Sequence, residues 1–154
     1  VSVTVDLPGS EPVVLEHLVL DVNGTLTDRG ALIEGVGERL TRLSGLLEVH
    51  LLSADTFGTL DAVTRELGVT ATPVGTGEDK VRFVRDLGEA RCAAIGNGAN
   101  DAAMLEAAAL GIVVIGPEGA AGPAVRAADV ACGSILDALD LLLDERALVA
   151  TLRI

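Results

Sequence analysis

From residue 47 to residue 132 the sequence alternates short apolar runs with longer segments of helical spacing, several of the runs ending in a polar residue or a glycine. Runs at 47–52 (ending at Ser53), 69–73, 92–95 (ending at Gly96), 112–115 and 130–132 have the length and bias of buried strands. Between and after them, 57–67, 78–87, 100–109, 120–127 and 134–150 have the spacing of helices, the first two closed by Gly68 and Gly88. Strand–helix alternation forces consecutive strands to lie parallel, with helices on both faces of the sheet. Upstream, 2–7 and 13–22 read as strands around the turn Pro8-Gly9-Ser10, giving an N-terminal β-hairpin. Residues 26–34 predict a second, small hairpin and 35–46 a helix. The expected fold is α/β: a Rossmann-like, three-layer arrangement around a mostly parallel sheet. The 154 residues are read as one domain, with 1–15 an extension, 16–140 the core and 141–154 a C-terminal helix and tail.

In an open parallel sheet the carboxyl ends of the strands share one edge, where ligands bind. The run Leu18-Val19-Leu20 ends in Asp21, followed by Val22-Asn23-Gly24-Thr25. A strand-end aspartate can ligate a metal or attack phosphorus. Ser53 and Gly96-Asn97 end two further strands, so all three segments are expected to converge.

Composition narrows the partners. A formal charge of −12 disfavours nucleic acid, which is bound through Lys and Arg stripes. A phosphate-bearing ligand would need a cation or backbone N–H groups to offset that charge. No apolar stretch reaches the roughly 18 residues of a membrane helix, and no signal peptide is predicted. Cys92 and Cys132 are expected as free thiols in a reducing cytosol. Of the 11 basic residues only Lys80 is lysine. A lone lysine in an arginine background suggests a position where a compact point charge is needed and a planar fork will not fit.

Asp21-Val22-Asn23-Gly24-Thr25, Ser53, Lys80 at a helix start and Gly96-Asn97-Gly98-Ala99-Asn100-Asp101 follow one another in an order that resembles the haloacid dehalogenase superfamily of phosphohydrolases and P-type ATPases. The resemblance covers about residues 16–140. It implies that Asp21 is a nucleophile forming an aspartyl-phosphate, and that Lys80 bridges Asp21 and the phosphoryl group. It implies phosphoryl contacts from Ser53 and from the N–H groups of Gly24 and Ala54, with Asn100 positioning Lys80 or its loop. The implied cofactor is Mg²⁺, held by Asp21, the Asn23 carbonyl, Asn97 and Asp101.

Two positions depart from the common pattern. Asn23 stands where an aspartate usually serves as general acid and base, and an amide cannot shuttle a proton. Asn97 stands where a second metal-binding aspartate is usual. Slow hydrolysis of the aspartyl-phosphate is therefore expected, with Asp28 or Asp55 as candidate replacement donors. Asp21-Val22-Asn23-Gly24-Thr25 together with Ala54-Asp55-Thr56-Phe57-Gly58 looks like the soluble P-type ATPase-like branch.

The segment from Leu26 to Ser53 is too short for a cap domain. Capless phosphatases for sugar-acid phosphates resemble this layout, including Leu26-Thr27-Asp28, and cover their sites by oligomerisation. A cytoplasmic homo-oligomer acting on a phosphorylated small molecule, nucleotide or phosphoprotein is expected. The alternative is a catalytically impaired member that senses phosphate or nucleotide, or regulates another protein.

Plainer readings stand beside these. Asp21 suits a turn, Ser53 and Asn100-Asp101 suit helix caps, and Lys80 suits a solvated helix face. His17 and His50 read as structural, Phe57, Phe83 and Met104 as core. Asp137, Asp140, Asp144 and Glu145 read as a solvated helix face.

Overall fold

The computed structural model describes residues 2–54 and 59–154. Among the described residues six strands form the central parallel sheet: β3 (His17–Asp21), β6 (Glu48–Ser53), β7 (Thr70–Pro73), β8 (Cys92–Gly96), β9 (Leu110–Val114) and β10 (Val130–Cys132). Their spatial order is β10-β9-β8-β3-β6-β7. The chain builds outward from β3 through β6 to β7, then returns to β3's other side and runs through β8 and β9 to β10. The reversal makes β3 the switch point of the sheet, where Asp21 sits.

Strand alternation sends successive side chains to opposite faces. Leu18, Leu20, Leu51, Ile95 and Ile112 join one apolar cluster, and Val19, Leu52, Ala94 and Val113 join the other. The first face is covered by α1 (Val36–Ser44) and α6 (Ile135–Leu142). The second is covered by α3 (Gly77–Leu87), α4 (Ala102–Ala107) and α5 (Gly122–Ala127). Helix α1 buries Val36, Leu40 and Leu43, a 3–4 spacing worth about 1.5–3 kcal/mol per side chain removed from water.

Two antiparallel pairs lie outside this sheet. β1 (Val3–Val5) pairs with β2 (Val13–Leu15), and β4 (Thr27–Asp28) with β5 (Ala31–Leu32), as both expected hairpins require. The expected strand over 13–22 is two strands. At Glu16 the backbone N–H donates to the Arg91 carbonyl and the C=O accepts from the Glu48 N–H. The chain thus leaves the hairpin there and enters the main sheet. The expected helix over 134–150 is likewise two, α6 and α7 (Glu145–Leu152), because Asp144 caps the second with its side chain accepting from Ala147 N–H. That places Asp144 in a cap and not on a continuous solvated face. Asp140 also has a specific partner, Arg39 on α1, at 2.7 and 3.2 Å. The expected helix over 100–109 begins as a 3₁₀ turn at Ala99–Asp101 and ends at Ala107.

Helix α2 (Thr59–Leu67) occupies the expected 57–67 segment, of which 57 and 58 lie outside the described residues, as do Asp55 and the expected core residue Phe57. Met104 is fully buried and Phe83 partly so. Cys92 and Cys132 are free thiols, and burial pushes the Cys92 thiol up to about 11. Among the described residues no helix is long and apolar enough to cross a membrane.

Candidate active site

Asp21 closes β3 with its side chain almost buried. The next residues turn sharply: the Val22 carbonyl accepts from the N–H groups of Thr25, Leu26 and Thr27. Gly24 makes this turn at φ +79°, and a Cβ there would meet the Asn97 amide at 2.7 Å. Only glycine satisfies both demands.

Lys80 reaches the same point from α3. Thr76 caps that helix by accepting from Asp79 N–H, which sets the first turn and aims Lys80 inward. Its Nζ donates to Asp21 Oδ1 at 2.8 Å and to Asp101 Oδ1 at 2.7 Å. Lys80 is only 2% exposed and Asp101 is fully buried, so this is an ionic chain inside the protein and not a surface pair. The solvated-face reading of Lys80 is thereby excluded.

Asp101 is fixed from its other side. Its Oδ2 accepts from the N–H groups of Asn97 and Gly98 at 3.1 and 2.9 Å. Gly96 makes room for it, since a Cβ there would lie 2.5 Å from the Asp101 carboxylate. With three donors already engaged, Asp101 anchors Lys80 and the loop.

Burial raises the Asp21 carboxyl to about 6, reinforced by the Asp101 carboxylate and partly offset by Lys80 and Thr25. Burial works against the Lys80 ammonium, but the two carboxylates outweigh it and raise its pKa above the ordinary value. With all three ionised, the chain carries a formal charge of −1. A phosphoryl dianion approaching Asp21 would therefore need a further cation. The oxygens present suit Mg²⁺: Asp21 Oδ2 and the neutral Asn97 Oδ1 both lie 3.1 Å from the Thr25 hydroxyl, and all are hard donors. Thr25 is fully buried, and its bridging role has no signal of its own in the sequence, because a threonine is ordinary in a turn this polar.

The other candidates are placed as follows. Ser53 is buried at the end of β6, and its Oγ accepts from the exposed Asn23 side-chain amide at 3.2 Å. Ala54 follows it, exposed. Asn97 holds the adjacent loop by donating to the Gly119 carbonyl at 3.1 Å. Asn100 is exposed, and its backbone meets Gly77 at the start of α3, where a Cβ would lie 2.6 Å from its carbonyl oxygen. Asn100 thus packs the loop against the helix that carries Lys80. Asp28 is occupied by Arg29 at 2.6 Å. A cleft of about 450 Å³ lies at the opposite, amino edge of the sheet, lined by Glu16, His17 and residues 44–48, and takes no part in this constellation.

No protein-family model matches the chain. Among curated proteins it is similar to the uncharacterized protein MJ0073 of Methanocaldococcus jannaschii, with 53% identity over 60 residues, 39% of this chain and 64% of that protein. The chain therefore matches less than two thirds of that relative's length. It is also similar to the uncharacterized protein MJ0072 of the same organism, with 51% identity over 39 residues, 25% of this chain and 89% of that protein. Among solved structures it resembles the cobalt-bound deoxy-D-mannose-octulosonate 8-phosphate phosphatase of Haemophilus influenzae (TM-score 0.70, 18% identity, 88% of this chain and 91% of that one). The corresponding phosphatase of Moraxella catarrhalis, solved with magnesium, phosphate and KDO, gives a TM-score of 0.66 at 20% identity, over 88% of this chain and 90% of that one. At these identities the likeness is one of fold. A zinc-transporting PIB-type ATPase in its E2.Pi state is 29% identical, covering 79% of this chain and 19% of its own, with a TM-score of 0.60. With 89% of MJ0072 covered at 51% identity, the chain belongs with that protein, and it shares the fold of the solved haloacid dehalogenase-type phosphatases.

Proposed function

We propose that the protein is a Mg²⁺-dependent phosphohydrolase that works through an aspartyl-phosphate on Asp21. The observation that carries this reading is the buried Asp21–Lys80–Asp101 chain at the switch point of the sheet. It places a carboxylate beside a fixed ammonium where a phosphoryl group would arrive. Asp21 Oδ2 attacks phosphorus in line, forming the acyl phosphate as the ester oxygen departs. Lys80 neutralises charge on Asp21 and the transferring oxygens. Ser53 and the N–H groups of Gly24 and Ala54 receive those oxygens. Asp21, the Asn23 carbonyl and Asn97 would hold Mg²⁺, with Asp101 joining through water; the ion supplies the positive charge that the −1 chain lacks. Attack of water on the acyl phosphate then regenerates Asp21.

Asn23 cannot donate a proton to the leaving group or take one from that water. Acceptance of the phosphoryl group is therefore favoured over its release, as in the long-lived phosphoenzymes of P-type ATPases. The substrate is a phosphorylated small molecule; the sugar-acid phosphate named for the similar solved structures marks a class to screen, with nucleotides and phosphoproteins beside it. Without a cap the site is open, and a second subunit covering it through the β4–β5 hairpin fits that need. Free thiols and the lack of a spanning helix among the described residues suit a cytoplasmic setting.

The test is phosphatase activity on a generic aryl phosphate with and without Mg²⁺. Asp21→Asn should lower activity by roughly 10³-fold or more. Asn23→Asp should raise turnover, by up to about 10²-fold. Activity indifferent to Asp21→Asn would overturn the reading. The loss of carboxylates at positions 23 and 97 favours a second reading, a phosphate-sensing protein. Stoichiometric trapping by beryllofluoride and Mg²⁺, without turnover on any phosphoester, would select it.

A further inference from the structure

The chain has two histidines, and the fold brings them together at the amino edge of the sheet, on β3 and β6. The register pairs His17 with Glu48 and Val19 with His50, so the parallel pleat puts His17, Glu48 and His50 on one face. His17 Nδ1 and His50 Nε2 share a hydrogen bond at 3.2 Å, which a bound ion would replace. Glu48 leans between them, with Oε2 3.6 Å from His17 Nδ1 and Oε1 3.7 Å from His50 Nε2. These two distances exceed hydrogen-bond reach, so hydrogen bonding does not account for the carboxylate's position. One atom from each of the three side chains lies within 4.8 Å of the others. The imidazole separation is close to the edge of a tetrahedron with metal–nitrogen bonds of ~2.0 Å, about 3.3 Å.

We infer that His17, Glu48 and His50 form a binding site for a first-row transition-metal ion of the Zn²⁺ class. Two imidazoles and one carboxylate prefer Zn²⁺, Co²⁺ or Ni²⁺ to Mg²⁺ or Ca²⁺, which favour oxygen donors alone. Three protein ligands leave a fourth position for water. The cleft lined by Glu16, His17 and residues 44–48 gives the ion a solvent path. Glu48 is 67% exposed, whereas His50 is almost buried and packs edge-on against Phe83 at 5.4 Å between ring centroids. Burial also lowers the His50 pKa, favouring the neutral imidazole that ligates metal. Cys92, beside His17 in the register, does not join the set, because its thiol donates to the Gly88 carbonyl on the α3 side at 3.3 Å. His17 lies four positions from Asp21 along β3, about 13 Å of strand, so the site is separate from the proposed catalytic edge. A bound ion would staple the amino ends of β3 and β6.

The test uses the full chain, stripped of metal by a chelator and titrated with Zn²⁺ in excess Mg²⁺, read by calorimetry. Co²⁺ is titrated in parallel and read by its visible ligand-field bands. One equivalent should bind, with tetrahedral Co²⁺ bands. Glu48→Gln should weaken binding about tenfold and His17→Asn about a hundredfold, while Asp21→Asn leaves it unchanged. Both variants alter the outer part of the cluster and spare the buried His50, so circular dichroism should show them folded. The inference is overturned by the absence of stoichiometric binding, by binding unchanged in His17→Asn and Glu48→Gln, or by binding lost in Asp21→Asn. None of these outcomes depends on phosphatase activity.

Discussion

At the carboxyl end of β3, Asp21 is buried, salt-bridged to Lys80 and tied through it to a fully buried Asp101. At the amino end of the same strand, His17 meets His50 and a largely exposed Glu48 whose oxygens stop short of hydrogen bonds. One edge is already partly neutralised and locked by its own cation. The other holds its donors together with no internal cation to lock them. The contrast teaches that a polar cluster's preference for a partner depends on what its own residues already satisfy. Oxygens with a lysine in place call for a modest supplement of positive charge, while two imidazoles facing one carboxylate offer the mixed nitrogen and oxygen donors that the inferred transition-metal ion prefers.

The largest test of this contrast is Lys80→Met. Removing the ammonium leaves two buried carboxylates facing each other without their shared cation and should cost about 3–5 kcal/mol in metal-free chemical denaturation. A loss below about 1 kcal/mol would mean that the carboxyl edge is not locked by its lysine. Next comes Gly96→Ala, whose methyl group displaces the Asp101 carboxylate. We expect about 1–3 kcal/mol of destabilisation and a marked fall in phosphatase activity, with Zn²⁺ binding at the amino edge retained. Loss of both functions together would show that the two edges are coupled.

A smaller effect follows from the Asp21 carboxyl at about 6. Below that pH a proton competes with Mg²⁺ for Asp21, so affinity should fall about tenfold per unit; above about pH 7 it should be flat. Calorimetric titrations of Mg²⁺ at three pH values decide this, and a flat profile through pH 5 would remove Asp21 from the ligand set. The smallest effect is expected for Glu48→Gln without metal: a stability change within about 0.5 kcal/mol, because the carboxylate is exposed and makes no hydrogen bond to either ring. A larger loss would mean that the amino edge is held by charge in the absence of any ion.

The carboxyl edge was readable in the sequence because each of its parts is local. Asp21 ends an apolar run, Lys80 is the only lysine, and Asn97 to Asp101 lie on one short loop. The amino edge was not readable, since His17 and His50 are 33 residues apart and meet only through the register of β3 with β6. The approach of Glu48 to both rings is set by the same register and has no sign in the sequence. The break at Glu16 escaped for another reason: apolar residues continue on both sides of it, and only the hydrogen bonds to Arg91 and Glu48 show the chain changing sheets. Asp144 misled because helical spacing runs straight through it, while its side chain turns back to start a new helix.

The Thr25 hydroxyl stands at equal distance from Asp21 Oδ2 and Asn97 Oδ1. It has one hydrogen for two acceptors and serves one of them at any instant. Chemistry that withdraws Asp21 Oδ2 from this contest releases the hydrogen to Asn97, whose other amide atom grips the Gly119 carbonyl. The state of the Asp21 carboxylate is thereby legible, through one rotating hydroxyl, at the backbone of a loop 98 positions further along the chain.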